Sequence, residues 1–333
     1  MNDWALIARA DRGGIASQSL NIATQCEPRR VLIVDLDSGG RGKSIPSLYD
    51  FVPESRVCAG YPRHEDMEWL CAGMASLFSI EGIYGEPARE VLASTGTRLV
   101  LQANPELFVP EDLRDTNLTV VAPTDWRLEL LGDAEVLPVP VDSRLAPEER
   151  APGPVRVAHM TGNAMLDRNG TLCFLRALRL LPEVGMEVLV ANQMLTSRTV
   201  RDNRVKRWPE VDTYLDRWAS PRPDILIQPR RYGGLCLPAQ EAAACGIPTI
   251  MPDLAPQSSW PLPLFAAEAG REFPMKGGKF LVAEPDLDWL AAVLRALVED
   301  EAVRAAWGEK ALGWAESLSW ERWRTRYLAL LCG

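Results

Sequence analysis

Short apolar runs alternate with stretches of helical periodicity along the first half of the chain. The helical stretches cover residues 17–26, 65–74 and 87–94. The apolar runs that predict strands are WALIA (4–8), RVLIVDL (30–36), ASLFSI (75–80), RLVLQA (98–103), LTVVAP (118–123) and EVLPVPV (135–141). Strands that alternate with helices build βαβ units, so this pattern predicts an α/β fold with mostly parallel strands.

The second half restarts this pattern after a segment that is poor in apolar residues. Residues 142–155, DSRLAPEERAPGPV, are rich in proline and charge, which predicts an interdomain linker. The strands predicted beyond it are 155–161, 186–193, 224–229 and 247–253, and the helices are 171–181, 238–245 and 286–300. We therefore expect two Rossmann-like domains, residues 1–150 and 151–312.

The chain ends in a helical segment with one strongly apolar face. In LSWERWRTRYLALL (318–331) the side chains that share this face are Trp320, Trp323, Tyr327, Leu328 and Leu331. Ser319 stands where a helix N-cap is expected. The aromatic stripe predicts packing, so residues 313–333 are expected to close the fold as a separate helical segment.

Composition and charge narrow the classes of function. The chain has 333 residues, 47% of them hydrophobic, and no apolar run long enough to span a bilayer. Its start does not resemble a secretory signal and its seven cysteines form no C-x-x-C pair, so we expect a cytoplasmic protein with reduced thiols. Two histidines are too few for a His-rich metal centre. A net charge of −9 disfavours DNA as a partner but does not exclude a local basic groove.

The most informative run is PRRYGGLCLPAQEAAACGIPTIMPD, residues 229–253. It reads as a strand end with Arg230, Arg231 and Tyr232, then Gly233, Gly234 and Leu235, then a helix whose first position suits Pro238. Paired glycines let backbone N–H groups approach a ligand closely, and a helix N-terminus favours an anion. Two arginines add phosphate contacts, and Glu241 is placed to accept ribose hydroxyls. These are the ingredients of a nucleotide-diphosphate site at the carboxyl edge of a parallel sheet.

This run resembles the signature of retaining glycosyltransferases of the GT-B fold, family 4 in particular, which reads E-G-F-G-L-P-x-x-E-A-x-A-x-G-x-P-V-I. The positions that match in register are Gly234, Leu237, Pro238, Glu241, Ala242, Ala244, Gly246, Pro248 and Ile250. Gly233 replaces the family's first glutamate, which grips the donor sugar, whereas the ribose role implied for Glu241 is kept. The resemblance implies two Rossmann-like domains that face a cleft, with the final helix crossing back onto the first domain. Compact relatives of this style occur in bacteria and their phages.

Two further segments fit the same resemblance. Gly13 and Gly14, after the first predicted strand, are similar to the family's glycine loop beside the donor phosphates. At the positions that HMTGNAMLDRNG (159–170) occupies here, members of the family carry two basic residues that hold the diphosphate. In this chain one asparagine follows Gly162 and another stands at position 169, so both positive charges are missing. We expect Arg168, or the arginine pair at 230 and 231, to replace them, with Asn169 beside the donor.

Polar residues after strands are the candidates for the acceptor side and for acid–base chemistry. Asp11 lies beside the glycine loop, and Glu81 follows the strand predicted at 75–80. Asn104 and Glu106 follow the strand at 98–103. His159 lies near a strand end and, with Asp11 and Glu81, is a catalytic candidate. Each candidate also has a purely structural interpretation. The glycine loop would be a tight turn, Asn104 and Glu106 would cap loops, and His159 would be a buried structural histidine.

The stretch VLIVDLDSGGRGKS, residues 31–44, suggests two other chemistries. The D-x-D at 35–37 has the spacing with which some sugar transferases hold a metal-bound nucleotide, and the glycine-rich run nearly spells a phosphate loop. The complete loop requires glycine where position 37 is aspartate, and Pro46 interrupts the helix that should follow. We interpret the stretch as a polar loop in which Arg41 and Lys43 are available to an acceptor.

The sequence as a whole predicts a metal-independent glycosyltransferase that requires no cofactor. Its substrate would be a nucleotide-diphosphate sugar, UDP- or GDP-linked, and the acceptor a protein, a glycan, a small molecule or a hydroxymethylated DNA base. Alternatives are a sugar-nucleotide epimerase on the same fold and a nucleotide-sugar-binding module without turnover. The binding module remains an alternative because the glutamate is missing at position 233, and a P-loop ATPase fits the sequence least.

Overall fold

A computed structural model describes residues 3–11, 13–36, 44–82, 85–109, 117–141, 152–161, 167–191, 202–208, 218 and 221–333. The strands are β1 (Trp4–Ala8), β2 (Arg30–Asp35), β3 (Glu54–Ala59), β4 (Ser76–Ile80), β5 (Arg98–Gln102), β6 (Leu118–Ala122), β7 (Glu135–Val136), β8 (Val155–Met160), β9 (Met186–Ala191), β10 (Val205–Arg207), β11 (Ile225–Ile227), β12 (Thr249–Pro252), β13 (Leu264–Phe265), β14 (Ala267–Met275) and β15 (Gly278–Pro285). The helices are α1 (Gly14–Cys26), α2 (His64–Cys71), α3 (Glu86–Thr95), α4 (Thr171–Leu178), α5 (Leu237–Ala244), α6 (Leu287–Glu299), α7 (Glu301–Ser317) and α8 (Trp320–Cys332).

The chain divides into two compact units. The first comprises Met1–Pro140, Met275–Gly278 and Trp320–Gly333, and the second comprises Val141–Pro274 and Lys279–Ser319. Most of the predicted linker, residues 142–151, lies outside the described residues. Within the described residues, no helix has the length and apolar character that a membrane-spanning segment needs.

The first unit is built on a seven-stranded parallel sheet in the order β3-β2-β1-β4-β5-β6-β7. Side chains alternate across a strand, and β1 shows how the two faces are filled. Trp4 and Leu6 pack in the cluster that includes Ile22 of α1, whereas Ile7 packs on the other face with Met67 of α2 and Val91 of α3. The sheet is therefore covered on both faces, as the predicted α/β class requires.

The last helix, α8, belongs to the first unit and covers one face of its sheet. Tyr327 is fully buried, with its ring 6.3 Å from Phe78 of β4 and 5.2 Å from Trp320. Arg98 Nη2 donates to the carbonyl of Leu330 at 2.6 Å. These contacts confirm the predicted return of the C-terminal helix onto the N-terminal domain.

The second unit repeats the architecture with a six-stranded parallel sheet in the order β10-β9-β8-β11-β12-β13. Ile225 and Ile227 of β11 face α4 and α6, while Leu226 between them faces α5. β14 and β15 form an additional two-stranded sheet. Their hairpin turn, Met275–Gly278, is part of the first unit.

Several elements differ from the sequence prediction. The predicted strand 135–141 shrinks to β7, because Pro138 and Pro140 have no N–H for a ladder. β3 was not predicted, because it lies at the sheet edge and Cys58 is its only buried residue. The short β10 and the β14–β15 hairpin were also missed.

Candidate functional site

The turn between β11 and α5 carries most of the predicted donor residues. β11 ends at Ile227 and α5 begins at Leu237, so Pro238 is the second helical residue and not the first. Its missing N–H lies in the first turn, where no intrahelical partner exists. Gly246, just after the helix, has φ +67°, the left-handed conformation predicted for it.

Two arginine side chains meet at Gly233 in this turn. Gly233 has φ +103°, and a Cβ there would lie 2.6 Å from Nη2 of Arg230 and would overlap the guanidinium of Arg168. The Arg168 guanidinium also lies over the Tyr232 ring, 5.2 Å from its centroid. Two positive charges therefore converge on a backbone position whose conformation favours glycine.

Arg230 and Arg231 have different partners, although they are adjacent in the sequence. Arg230 is buried, and its guanidinium donates to the carbonyls of Tyr232 (3.0 Å) and Leu235, so it holds the turn in shape. Arg231 donates to the carbonyl of Ala283 at 2.8 Å and forms an ion pair with Glu284. Arg230 therefore points into the turn, whereas Arg231 is engaged with β15.

His159 is fully buried in the second unit, and its environment is that of a structural histidine. A carbonyl only accepts, so Nδ1 donates to Ile227 O (2.8 Å) and Nε2 accepts from the Thr171 hydroxyl (2.8 Å). Its ring packs 5.2 Å from Phe174. Burial lowers the pKa of His159 to about 4. With both ring nitrogens occupied, it is not placed as an acid–base catalyst.

We expect His159 to make the protein lose stability in mild acid. The unfolded state, with an ordinary pKa of 6.5, binds a proton that the folded state rejects until about pH 4. The His159 contribution is thus complete above pH 6.5 and falls by about 3 kcal/mol by pH 4. We would measure unfolding free energy against pH for the native chain, His159→Gln, and His64→Gln as an exposed control. Equal pH slopes for the native chain and His159→Gln would contradict this assignment.

Glu241 lies on α5, as predicted, but its carboxyl group is covered. It is 5% exposed, and its Oε2 accepts a hydrogen bond from the indole Nε1 of Trp218 at 3.2 Å. Burial raises the pKa of Glu241 well above its ordinary value. The side chain expected to bind ribose is therefore already partnered by an indole.

Other predicted donor residues take supporting positions. Asn169 Nδ2 donates to the carbonyls of Met160 and Thr161, both at 3.2 Å, which ties the turn before α4 to the end of β8. Gly234 is buried and Leu235 is half-buried beside it. Gly162, Arg41 and Lys43 lie outside the described residues.

Gln228 is a polar residue that the sequence reasoning missed. It directly follows β11 and is 0% exposed. Neither its amide nitrogen nor its amide oxygen has a hydrogen-bond partner within the part of the chain that the structure describes. An unsatisfied buried amide is unfavourable, which singles out Gln228 among the residues of this turn. The signal in the sequence was the polar residue that ends the apolar run ILI (225–227).

In the first unit, Asp11 shapes the entry to α1. Its Oδ1 accepts from the N–H of Gly13 at 2.7 Å, and its other oxygen forms an ion pair with Arg9. Gly13 is the N-cap of the helix, which begins at Gly14. The carboxylate of Asp11 is therefore occupied in holding the glycine turn.

Glu81 and Asn104 meet at a cavity of about 300 Å³ in the first unit. The Asn104 amide donates to Glu81 Oε1, which joins the ends of β4 and β5. Glu81 has φ +57°, an uncommon conformation for a non-glycine residue. Glu106 does not line the cavity. It is 1% exposed, and its backbone carbonyl accepts from the N–H of Gly277 at 3.2 Å.

The described residues contain no group of three or more His, Cys, Asp and Glu side chains that could hold a metal ion. The three catalytic candidates differ in what surrounds their side chains. His159 and Asp11 have partners that serve the fold, whereas Glu81 lines a cavity.

Two Rossmann-like units and a returning C-terminal helix define the GT-B fold, which the comparison with solved structures confirms. A sucrose-phosphate synthase from Thermosynechococcus elongatus superposes with a TM-score of 0.70 at 13% identity, over 99% of this chain and 98% of that one. Anabaena HepE in complex with UDP-glucose gives a TM-score of 0.71 at 13% identity, with 99% and 98% covered. The lipopolysaccharide outer core galactosyltransferase WaaB gives 0.61 at 12%, with 97% of both chains covered.

At these identities the likeness is one of fold. No family model matches the sequence, and no curated protein matches it. The residues that would carry an activity must therefore be argued from this chain itself.

Proposed function

We propose that this protein is a glycosyltransferase that moves a sugar from a nucleotide-diphosphate donor, UDP- or GDP-linked, to an acceptor hydroxyl with retention. In this reaction the acceptor oxygen bonds to the anomeric carbon as the bond from that carbon to the diphosphate breaks. The hydroxyl proton leaves with the diphosphate. The GT-B fold and the signature from Gly234 to Ile250 support the proposal, and HepE, a structure of the same fold, was solved with UDP-glucose.

The observation that carries this proposal is the convergence of Arg168 and Arg230 at Gly233. Breaking the sugar–phosphate bond places negative charge on the leaving diphosphate, and preorganised positive groups stabilise that charge most in a water-poor site. Two guanidiniums at the turn into α5 supply such groups, and the helix N-terminus adds its dipole. We propose on this basis that the reaction needs no metal ion.

The nucleoside is proposed to bind where Glu241 and Gln228 are buried. Ribose hydroxyls would take the place of the Trp218 indole on the Glu241 carboxyl group. The amide of Gln228, which has no partner among the described residues, supplies one donor group and one acceptor oxygen for the nucleoside.

The acceptor is proposed to bind in the first unit, at the cavity that Glu81 and Asn104 line. Asp11 would act indirectly through the Gly13 turn, and Glu106 through the backbone beneath the cavity. We name no protein nucleophile, because a front-face retaining transfer requires none.

A binding module without turnover is the second candidate, because Gly233 stands where the family signature has a glutamate. The experiment is to incubate the protein with UDP- and GDP-linked sugars and to follow free diphosphate with and without an acceptor panel. Acceptor-dependent release supports transfer, whereas donor binding without release supports the module. Interconversion of the donor sugar without acceptor would instead indicate an epimerase.

We expect Arg168→Ala to weaken UDP binding by about tenfold to a hundredfold, because a hydrogen bond to a charged group contributes roughly 1.5–3 kcal/mol. Arg168 suits this test better than Arg230, which also holds the carbonyls of the turn. The measurement is titration calorimetry with UDP. Arg179→Ala, at an exposed position after α4, is the matched control and should bind UDP like the native chain. Unchanged UDP affinity in Arg168→Ala would show that the guanidinium pair does not bind the diphosphate.

A further inference from the structure

The cavity of the first unit combines an apolar wall with a small number of polar groups. Its lining residues include Leu101, Ala103, Leu107, Phe108 and Val109, with Glu81, Asn104, Glu86, Arg89 and Lys276 as the polar and charged members. A volume of about 300 Å³ lies at the small end of ligand pockets. Such a cavity admits a small molecule, or one terminal residue of a polymer.

The inner polar pair of the cavity presents acceptor oxygens to a ligand, together with the second N–H of the Asn104 amide. A carboxylate has no donor, so Asn104 must present its Nδ2 group to Glu81. This orientation turns the amide oxygen of Asn104 away from the Glu81 carboxylate. Asn104 is 5% exposed, and this oxygen has no hydrogen-bond partner among the described residues. The pair therefore matches a ligand group that both donates and accepts hydrogen bonds, such as a hydroxyl.

The charged residues at the cavity are unequal in what they offer a ligand. Glu86 and Arg89 form an ion pair with each other across one turn of α3. Lys276, on the turn of the β14–β15 hairpin, is exposed and makes no ion pair or hydrogen bond in the described part of the chain. Its ammonium group is therefore available to an anion, whereas the charge of Arg89 is already compensated.

We propose that the acceptor is a small amphiphilic molecule that carries both a hydroxyl and an anionic group, either a carboxylate or a phosphate. Asn104 and Glu81 take the hydroxyl, the apolar wall takes the body, and Lys276 selects the anion. The acceptor role of this cavity rests on the proposed function. The selection of an anionic hydroxy compound rests on the cavity itself.

The test measures binding to the whole protein without any donor. The probes are 4-hydroxyphenylacetate, 4-hydroxyphenyl phosphate and the neutral 4-hydroxyphenylacetamide, each titrated by ligand-observed NMR. We expect at least one anionic probe to bind about fivefold more tightly than the amide, the size of a solvent-exposed ion pair. The order of the two anions distinguishes a carboxylate acceptor from a phosphorylated one.

Lys276→Met is expected to abolish the preference for the anion while it keeps the aliphatic stem. Lys279→Met, three positions further along at an exposed site outside the cavity, is the matched control and should retain the preference. Equal binding of amide and anions, a preference that survives Lys276→Met, or no saturable binding of any probe would each overturn the proposal. A failure of the glycosyltransferase proposal would be seen in different measurements, as the absence of nucleotide binding and of diphosphate release.

Discussion

Replacing Tyr327 with alanine is expected to lower the free energy of unfolding by about 3–5 kcal/mol, the range for truncation of a large buried aromatic residue. Tyr327 is 0% exposed and packs between Phe78 of the central sheet and Trp320 of its own helix. Its hydroxyl donates to the carbonyl of Pro138 at 3.1 Å. Alanine would leave a cavity at the point where α8 is held to the first unit.

The measurement is denaturant unfolding followed by circular dichroism, with two comparison variants. Tyr327→Phe keeps the ring and removes only the hydroxyl, so we expect a loss of about 1 kcal/mol. Tyr61→Ala, at a position that is 65% exposed, should change the unfolding free energy by less than about 0.5 kcal/mol. If Tyr327→Ala were as mild as Tyr61→Ala, α8 would not stabilise the first unit.

The strands that lie inside the two sheets were predicted from the sequence, whereas of the edge strands only β7 was, as part of a longer run. β1, β4 and β5 are buried on both faces, so each is largely apolar along its length. β3 and β10 lie at sheet edges, where polar side chains meet solvent and no apolar run is needed. Long-range pairing sets the position of a strand in the sheet, and that position affects whether the strand can be predicted from the sequence.

The donor-side turn shows the same limit at the level of the site. The glycine pair and the helix start were predictable, because they are local backbone requirements. Nothing local indicates that the guanidinium of Arg168, which precedes α4, meets Gly233, or that Arg231 turns away to Glu284. The first contact depends on how β8 and β11 lie side by side in the sheet, and the second on β15, which carries Ala283 and Glu284.

Burial is the other property that the sequence did not supply. His159 and Glu241 were both predicted to face ligands, since each lies where the carboxyl ends of parallel strands lead. In the structure His159 is enclosed by Phe174 and two hydrogen-bond partners, and Glu241 is covered by Trp218. A strand-end position thus indicates where a site lies, but the packing of neighbours decides which side chains reach it.

Gly233→Glu is expected to weaken UDP binding by about a hundredfold, although it restores the glutamate of the family signature. In the family that the signature resembles, that residue is taken to grip the sugar, but here the space beside position 233 holds the guanidiniums of Arg168 and Arg230. A carboxylate in that place would pair with both arginines and cancel the charge that the diphosphate needs. The φ of +103° adds backbone strain for any residue with a Cβ.

Two variants separate strain from charge in this experiment. Gly96→Ala introduces a Cβ at φ +67° where no atom lies within 4 Å, so it should cost about 1 kcal/mol of stability and leave UDP affinity unchanged. Gly233→Ala adds the overlap without the charge, so its loss of UDP affinity should be smaller than that of Gly233→Glu. Calorimetric titration with UDP measures all three. Unchanged or tighter UDP binding in Gly233→Glu would show that the arginines do not hold the diphosphate, because a carboxylate paired with both guanidiniums would otherwise cancel the charge that UDP needs.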